Sequence, residues 1–394
     1  LYFNQGLPFG FFLLTLPILL REQGASATLI GGLMLLALPW TLKVLWAPWV
    51  DRDGLRIRWI LGLQVALLGT LAALAFTINP WLVALGVFAI NALIATQDIA
   101  VDGMAYRMLS PAERGWGNSI QAAAYKVGML VGGGLLPALT LGDQAATGWH
   151  PTMLALAALC LPALAIAFML REPMREEAST PRPSDDAQGL AKLRELVMRL
   201  SRLPGARWVI LFVIFSKFGD NLGTGMFRVF LVDHGWAASR IAAVTGGYGL
   251  VASITGSLLM AIPLARLSRG GAFLTVAIAQ AVLQAGVGFA ALGWVPESQW
   301  AALIVVEHFV SGAVTTVLFT LLMDFTPAEM PGSGFTALTV LSSAGMGLGS
   351  MLGGVIVDLS GFSLNFFLAG AACLLPVVFI KPALESRSKL ELTS

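Results

Sequence analysis

Apolar runs of about 20 residues, each long enough to cross the hydrocarbon core of a bilayer, recur along the whole chain, parted by short polar breaks. This pattern predicts twelve helices, near 1–20, 27–48, 58–78, 81–107, 115–141, 150–171, 206–232, 239–265, 271–292, 298–324, 332–357 and 362–381. One break is long. Residues 172–205 carry Pro181, Pro183, Ser184, Asp185 and Asp186, then a stretch from Leu190 to Val197 that reads as a short amphipathic helix at the interface. The expected fold is an all-α membrane protein with an N-terminal six-helix lobe at 1–171, a cytoplasmic linker at 172–205, and a C-terminal six-helix lobe with its tail at 206–394.

Composition supports that class. The chain is 57% hydrophobic and 12% charged, where soluble domains carry about 25% charged residues. A soluble chain of this length would need more polar surface to cover its core. The net charge of +2 leaves no basic footprint for a nucleic acid. Cys160 and Cys373 stand in separate apolar runs, as small buried side chains do, and His150, His234 and His308 have no metal-ligand spacing with them. No Gly-Lys dipeptide exists to form a phosphate-binding loop, and no G-x-S-x-G elbow appears. Neither an enzyme nor a cofactor is expected, and transport would draw on a gradient. The chain opens in an apolar segment without the basic stretch and cleavage site of a signal peptide, and it reads as membrane helix from the start.

Basic residues set the orientation. Alternate loops hold Arg52, Arg56, Arg58, Arg107, Arg114, Arg266 and Arg269, and the tail adds Lys381, Arg387 and Lys389, whereas the opposite loops hold only Arg21 and Arg240. Both termini are therefore expected in the cytoplasm.

The two halves repeat in parallel at a shift of 215 to 217 positions. Gly10 falls on Gly225, Gly31-Gly32 on Gly246-Gly247, Pro48 on Pro263, and Ser110-Pro111-Ala112-Glu113 on Thr326-Pro327-Ala328-Glu329. Gly115, Gly117, Gly128 and Gly132 fall on Gly332, Gly334, Gly345 and Gly349. Glycine and proline each mark a backbone requirement, so chance apolar similarity would not keep them in register. Such a repeat is the plan of a two-lobed transporter working by alternating access. Gly128-x-x-x-Gly132 and Gly345-x-x-x-Gly349 also offer small faces for close helix packing.

Ionisable residues at membrane depth are costly and normally face a cavity or a partner. Here they are Lys43, Asp98, Asp102, Lys126, Lys217, Asp220, Arg228, Glu307 and His308. Asp98 and Asp102 fall opposite apolar Val314 and Leu318, and Lys126 opposite Ser343, so these three break the repeat. Depth counting at about 1.5 Å per residue pairs Asp98 with Lys126 and Asp102 with Lys43. Two readings stand: the pairs merely neutralise one another, or one aspartate exchanges a proton as the lobes rock, since a carboxylate in an apolar site can load and release one near neutral pH. Arg228 and Glu307 would pair or bind substrate, and His308 is either a packed polar residue or part of a proton path.

The loop Ala47-Pro48-Trp49-Val50-Asp51-Arg52-Asp53-Gly54-Leu55-Arg56 resembles the signature of the major facilitator superfamily, with Ala47 and Leu55 departing from it. That resemblance implies the two-lobed major facilitator fold, gating by Asp51, Arg52 and Arg56, and a cavity lined by the first, fourth, seventh and tenth helices. The cavity residues would be Gln5, Phe9, Gln97, Tyr125, Lys126, Asp220, Asn221, Phe227, Arg228 and Glu307, with Asp98, Asp102, Glu307 and His308 as proton-coupling candidates.

Three stretches narrow the resemblance: Gln5-Gly6-Leu7-Pro8-Phe9-Gly10, the segment from Ala37 to Pro48 that includes Trp40 and Lys43, and Thr96-Gln97-Asp98-Ile99-Ala100-Val101-Asp102-Gly103. They resemble the branch that holds the AmpG muropeptide permeases, the acetyl-coenzyme A transporters and the RhtX/FptX siderophore permeases. The first stretch looks most like the siderophore permeases, and muropeptide permeases tend to be longer. The resemblance thus implies a monomeric, proton-coupled importer of a small siderophore, iron-loaded or free, in the bacterial inner membrane. Import of a cell-wall sugar–peptide is the alternative, and would call for a polar, sugar-stacking cavity. A non-transporting receptor is the reading from another class, and the buried charges and the repeat speak against it.

Overall fold

The computed structural model describes residues 1–43, 46, 50, 56–77, 79–108, 114–141, 145–169, 205–260, 263, 266–325 and 331–391. Among these the secondary structure is helical throughout. In chain order the helices are α1 (Tyr2–Glu22), α2 (Ala27–Leu42), α3 (Arg56–Ala75), α4 (Pro80–Met108), α5 (Arg114–Leu130, continued by Leu136–Thr140), α6 (Ala145–Met169), α7 (Ala206–Asp233), α8 (Ala238–Leu259), α9 (Arg269–Ala291), α10 (Trp300–Phe325), α11 (Pro331–Ser360) and α12 (Phe362–Glu391). Eleven of them are long and apolar enough to cross a bilayer, and α2 is a shorter apolar helix. The predicted spans match these elements closely. Among the described residues α2 runs to Leu42 and α8 to Leu259, short of the predicted 48 and 265, whereas α12 continues to Glu391 because the helix-forming stretch after Pro382 outlasts the apolar run that set the predicted end. The loop with Asp51 and Arg52, and the linker with its amphipathic stretch, lie outside the described residues.

Local chemistry sets several ends. The Ser26 and Ser268 hydroxyls accept from the amides of Leu29 and Gly271 at 3.1 and 3.2 Å, satisfying free donors at the starts of α2 and α9. A single residue, Gly361, turns α11 into α12 with φ of +84°, a conformation that costs side chains other than glycine. Large apolar side chains such as Trp81, Leu139 and Phe168 remain exposed, as bilayer-facing surfaces require.

Two compact units emerge. The first comprises Leu1–Gln23, Leu35–Asp186 and Gly235–Gly247, and the second Gly24–Met34, Ala187–His234 and Tyr248–Ser394. Relative to lobes drawn along the sequence, the start of α2 groups with the second unit and the start of α8 with the first. Within the first unit α1 is the most enclosed span, 83% buried against 28% for α3. Glycine makes that possible: a methyl group at Gly128 would strike the carbonyl of Phe3, and one at Gly132 that of Leu7. The second unit packs α7 on α11 the same way, with Gly345 against Ile214 and Gly349 against Phe218. Phe218 is the repeat mate of Phe3, so the two packings are alike but offset by one turn.

The exchanged segments obey the repeat more strictly. In the second unit Gly31 lies against the Ser350 carbonyl, and in the first Gly246 lies against that of Gly133. Gly31 and Gly246 are mates, and so are Gly133 and Ser350.

Candidate functional sites

In the first unit, three partly exposed rings gather on α1, α2 and α5. Phe9 lies 5.6 Å from Trp40 and 5.9 Å from Tyr125, and Trp40 lies 6.1 Å from Tyr125, measured between ring centroids. Phe9 keeps exposed area although it sits on the most enclosed helix. The Trp40 indole donates to Asn91 Oδ1 at 3.0 Å, which fixes its plane, and Lys43 Nζ stands 5.3 Å from the ring centre. Lys43 also reaches Asp98 Oδ2 at 2.5 Å. An aromatic face, an ammonium and a carboxylate therefore share one neighbourhood.

The expected pairing is corrected here. Lys43 joins Asp98 rather than Asp102, and Lys126 is exposed with no ion-pair partner among the described residues. The helical element Leu38–Leu42 ends well before residue 48, so a depth counted from 48 misplaces Lys43, and its four-carbon stem spans a further turn. Asp102, exposed, accepts instead from the Tyr2 hydroxyl at 2.5 Å and from Gln121 Nε2 at 3.1 Å.

Beneath this surface runs a buried amide chain. Gln64 of α3 exchanges two hydrogen bonds of 3.0 Å with Asn4, donates to the Cys160 carbonyl at 2.9 Å, and accepts from Gln97 at 2.8 Å. It ties α1, α4 and α6 together. Gln5 is wholly buried, and neither its side-chain oxygen nor its nitrogen has a partner. Arg56 is buried at the start of α3.

The second unit holds a denser cluster on α7, α9 and α10. Lys217 Nζ meets Asp220 Oδ2 at 2.6 Å, and Ser311 donates to the same oxygen at 2.8 Å. Gln280 Nε2 bridges two carboxylates, 2.8 Å from Asp220 Oδ1 and 2.5 Å from Glu307 Oε1. Gln284 adds a donor to Glu307 at 3.1 Å. Thr224 lies 3.1 Å from Asp220 Oδ1 and 3.0 Å from Glu307 Oε1, and its single proton serves one at a time. Glu307 is wholly buried. His308 Nδ1 donates to the Ile304 carbonyl at 2.9 Å and also stands 3.0 Å from Glu307 Oε2.

Two further expectations meet geometry. Arg228 and Glu307 do not pair: among the described residues Arg228 has no ion pair or hydrogen bond, while Glu307 Oε1 is occupied by α7 and α9 donors. Phe227 packs on His308 at 6.0 Å between rings, and Asn221 donates to its own helix at the Lys217 carbonyl. The chain pattern gave no prominence to Asn4, Gln64, Thr224, Gln280, Gln284 or Ser311. The repeat held a signal for some of them, because a shift of 216 carries Asn4 onto Asp220 and Gln64 onto Gln280, and both pairs are hydrogen-bonded or bridged.

Membrane-length spans that bury charges and paired amides, in two halves related by a sequence repeat, fit the frame of a helical membrane transporter. The chain belongs to the Major Facilitator Superfamily, whose family profile matches residues 1–345. It is 30% identical to the anhydromuropeptide permease of Escherichia coli K12 over 99% of this chain and 79% of that protein. It is 31% identical to an uncharacterised protein of Haemophilus influenzae over 96% of this chain and 93% of that one. A putative transporter, AmpG 4 of Rickettsia conorii, is 23% identical over 97% and 94%. Among solved structures, the nucleoside transporter NupG superposes with a TM-score of 0.68 at 14% identity, over 97% of this chain and 96% of that one. The xylose transporter XylE of E. coli superposes with 0.65 at 15%, over 96% and 94%. These last two show the fold alone.

Of the relatives named above, one is an anhydromuropeptide permease and one is an AmpG-type putative transporter, so they back the muropeptide alternative better than the siderophore expectation. The E. coli permease is the longer protein, as expected of muropeptide permeases, with 79% of its length aligned to 99% of this chain.

Proposed function

We propose that this protein imports a cell-wall sugar–peptide of the muropeptide class across the bacterial inner membrane, coupled to protons, as a monomer with both termini in the cytoplasm. The supporting observation is the ring cluster of Phe9, Trp40 and Tyr125 beside the Lys43–Asp98 pair. A sugar presents C–H faces that pack on aromatic rings and hydroxyl edges that need charged or polar partners, and this neighbourhood supplies both. The 30% identity to an anhydromuropeptide permease, spanning nearly the whole chain, points the same way.

For the proton, Glu307 is the strongest carrier. It is wholly buried, shares bridging donors with Asp220, and has no lysine or arginine within ion-pair distance among the described residues, whereas Asp220 has Lys217. Asp98, in contact with Lys43, is the corresponding candidate in the first unit.

Thermal shift of the purified protein tests the substrate. A ligand at one hundred times its Kd adds about 2.7 kcal/mol of stability. An anhydromuropeptide is expected to raise Tm and a ferric siderophore to leave it unchanged. Stabilisation by the siderophore alone would overturn the substrate and leave the family standing.

A further inference from the structure

The cluster on α7, α9 and α10 has a surplus of acceptors. Its buried side-chain atoms without a hydrogen-bond partner among the described residues are Gln280 Oε1, Gln284 Oε1 and Glu307 Oε2, and all three are oxygens. Gln280 is 1% exposed, and Gln284 and Glu307 are 0% exposed. Each of these oxygens shares a carbon with an atom of one contact, in which Gln280 Nε2 and Gln284 Nε2 reach Glu307 Oε1 at 2.5 and 3.1 Å. Thr224 Oγ1 stands 3.0 Å from the same Glu307 oxygen and 3.1 Å from Asp220 Oδ1. Gly223 makes room for the Gln284 head, since a methyl group on Gly223 would strike Gln284 Oε1. Buried acceptors without donors are uncommon in a native fold, and three in one cluster point to a ligand that satisfies oxygen alone.

The charges in contact lean the same way. Lys217 supplies one ammonium against the two carboxylates of Asp220 and Glu307, which Gln280 bridges. Arg228, further along α7, forms no ion pair with either among the described residues. His308 Nδ1, 3.0 Å from Glu307 Oε2, donates to the Ile304 carbonyl. Surplus oxygens beside one uncompensated negative charge suit a cation better than a neutral donor, and a single excess charge suits a monovalent one. Carboxylate, hydroxyl and amide oxygens form a hard ligand set, without the sulfur that softer metals prefer. Groups already 2.5 to 3.1 Å apart close around a small ion more readily than a large one.

We infer that this cluster binds a sodium ion, held by the Glu307 carboxylate, the Gln280 and Gln284 side-chain carbonyls, Thr224 Oγ1 and Asp220 Oδ1. Rotation of the two carboxamides about their last bonds turns their oxygens toward the ion. Every ligand belongs to the second unit. The inference goes beyond the proton reading and does not depend on the substrate class. Sodium and a proton are alternatives at Glu307, so the cluster serves one cation at a time.

The test is equilibrium binding of radioactive sodium to the purified protein in choline chloride, without substrate and at one fixed pH. The wild type is expected to bind one ion per chain, saturably, and unlabelled sodium should displace it at a concentration at least tenfold below that of potassium. Glu307→Gln and Gln280→Leu should each weaken binding at least tenfold. Gln280→Glu, which keeps an oxygen at that position, should retain it, and this separates ligation from packing. Equal displacement by potassium, or unchanged affinity in both Glu307→Gln and Gln280→Leu, would overturn the inference. No saturable binding by the wild type would overturn it outright, whatever the variants do, and would leave proton carriage by Glu307 and the sugar–peptide substrate standing.

Discussion

Lys217 Nζ and Asp220 Oδ2 meet at 2.6 Å on one face of α7, whereas Arg228, further along the same helix, meets no anion. The two cations should therefore respond oppositely to removal. Lys217→Met strands Asp220, which is 4% exposed, as a buried carboxylate without its ammonium. The expected loss is about 3–5 kcal/mol, the usual cost of breaking a buried pair from one side. Arg228→Met removes a charge that has no contact partner, so the apparent Tm in detergent should stay level or rise. A fall in Arg228→Met as large as in Lys217→Met would show that Arg228 is structural.

Glycine packing gives a second contrast. Gly132 lies so close to the Leu7 carbonyl that a methyl group there must push α1 away from α5. Gly132→Ala should cost upwards of about 2 kcal/mol, in the range of overpacked cores. Gly62 and Gly69 in the interior of α3 have open space where a methyl would go. Alanine there should stabilise by about 0.4–1 kcal/mol, through a less flexible unfolded chain and better helix propensity. Urea or thermal unfolding of the three variants in one detergent would rank them.

Much of this fold was legible because a membrane helix writes itself as a run of one kind of residue, and because Gly and Pro kept the two halves in register. The repeat foretold that Gly128 and Gly345 would occupy close contacts, and both do. What the chain did not reveal was side-chain reach. Lys43 bonds Asp98 and not Asp102, a change of one turn that depends on where α2 ends and how a lysine stem extends. The amide hubs Gln64 and Gln280 were hidden for another reason. Glutamine in an apolar run carries no charge to draw notice, and its role appears only once three helices converge on it. Substrate class was least legible. The rings that favour a sugar come from α1, α2 and α5, and no single stretch of sequence contains them.

The ring cluster makes its own prediction. Trp40 is held by Asn91 and packs edge-on to Phe9 and Tyr125. Trp40→Leu removes the largest face while keeping an apolar side chain. The apparent KM for an anhydromuropeptide should rise about tenfold, the equivalent of about 1.4 kcal/mol. Trp40→Phe should retain most of the affinity. Uptake of radiolabelled substrate into vesicles measures both, and an unchanged KM in Trp40→Leu would remove the cluster from the substrate path.

Asp98 offers the sharpest test of coupling in the first unit. Its pair with Lys43 is partly open to solvent, with side-chain exposures of 12% and 29%. Such a pair contributes little to stability, on the order of 1 kcal/mol or less. Asp98→Asn should therefore fold and reach the membrane at wild-type levels. If Asp98 exchanges a proton during the cycle, the amide cannot, and accumulation against a gradient should be lost while counterflow between equal concentrations survives. If the pair only neutralises charge, Asp98→Asn leaves Lys43 solvated at modest cost, and accumulation should persist. The paired variant Lys43→Met with Asp98→Asn decides the remaining ambiguity. A purely neutralising pair predicts that accumulation also persists when both charges are gone, whereas a proton carrier predicts that it is lost in both variants. Proteoliposomes with an imposed pH gradient give both readings from one preparation.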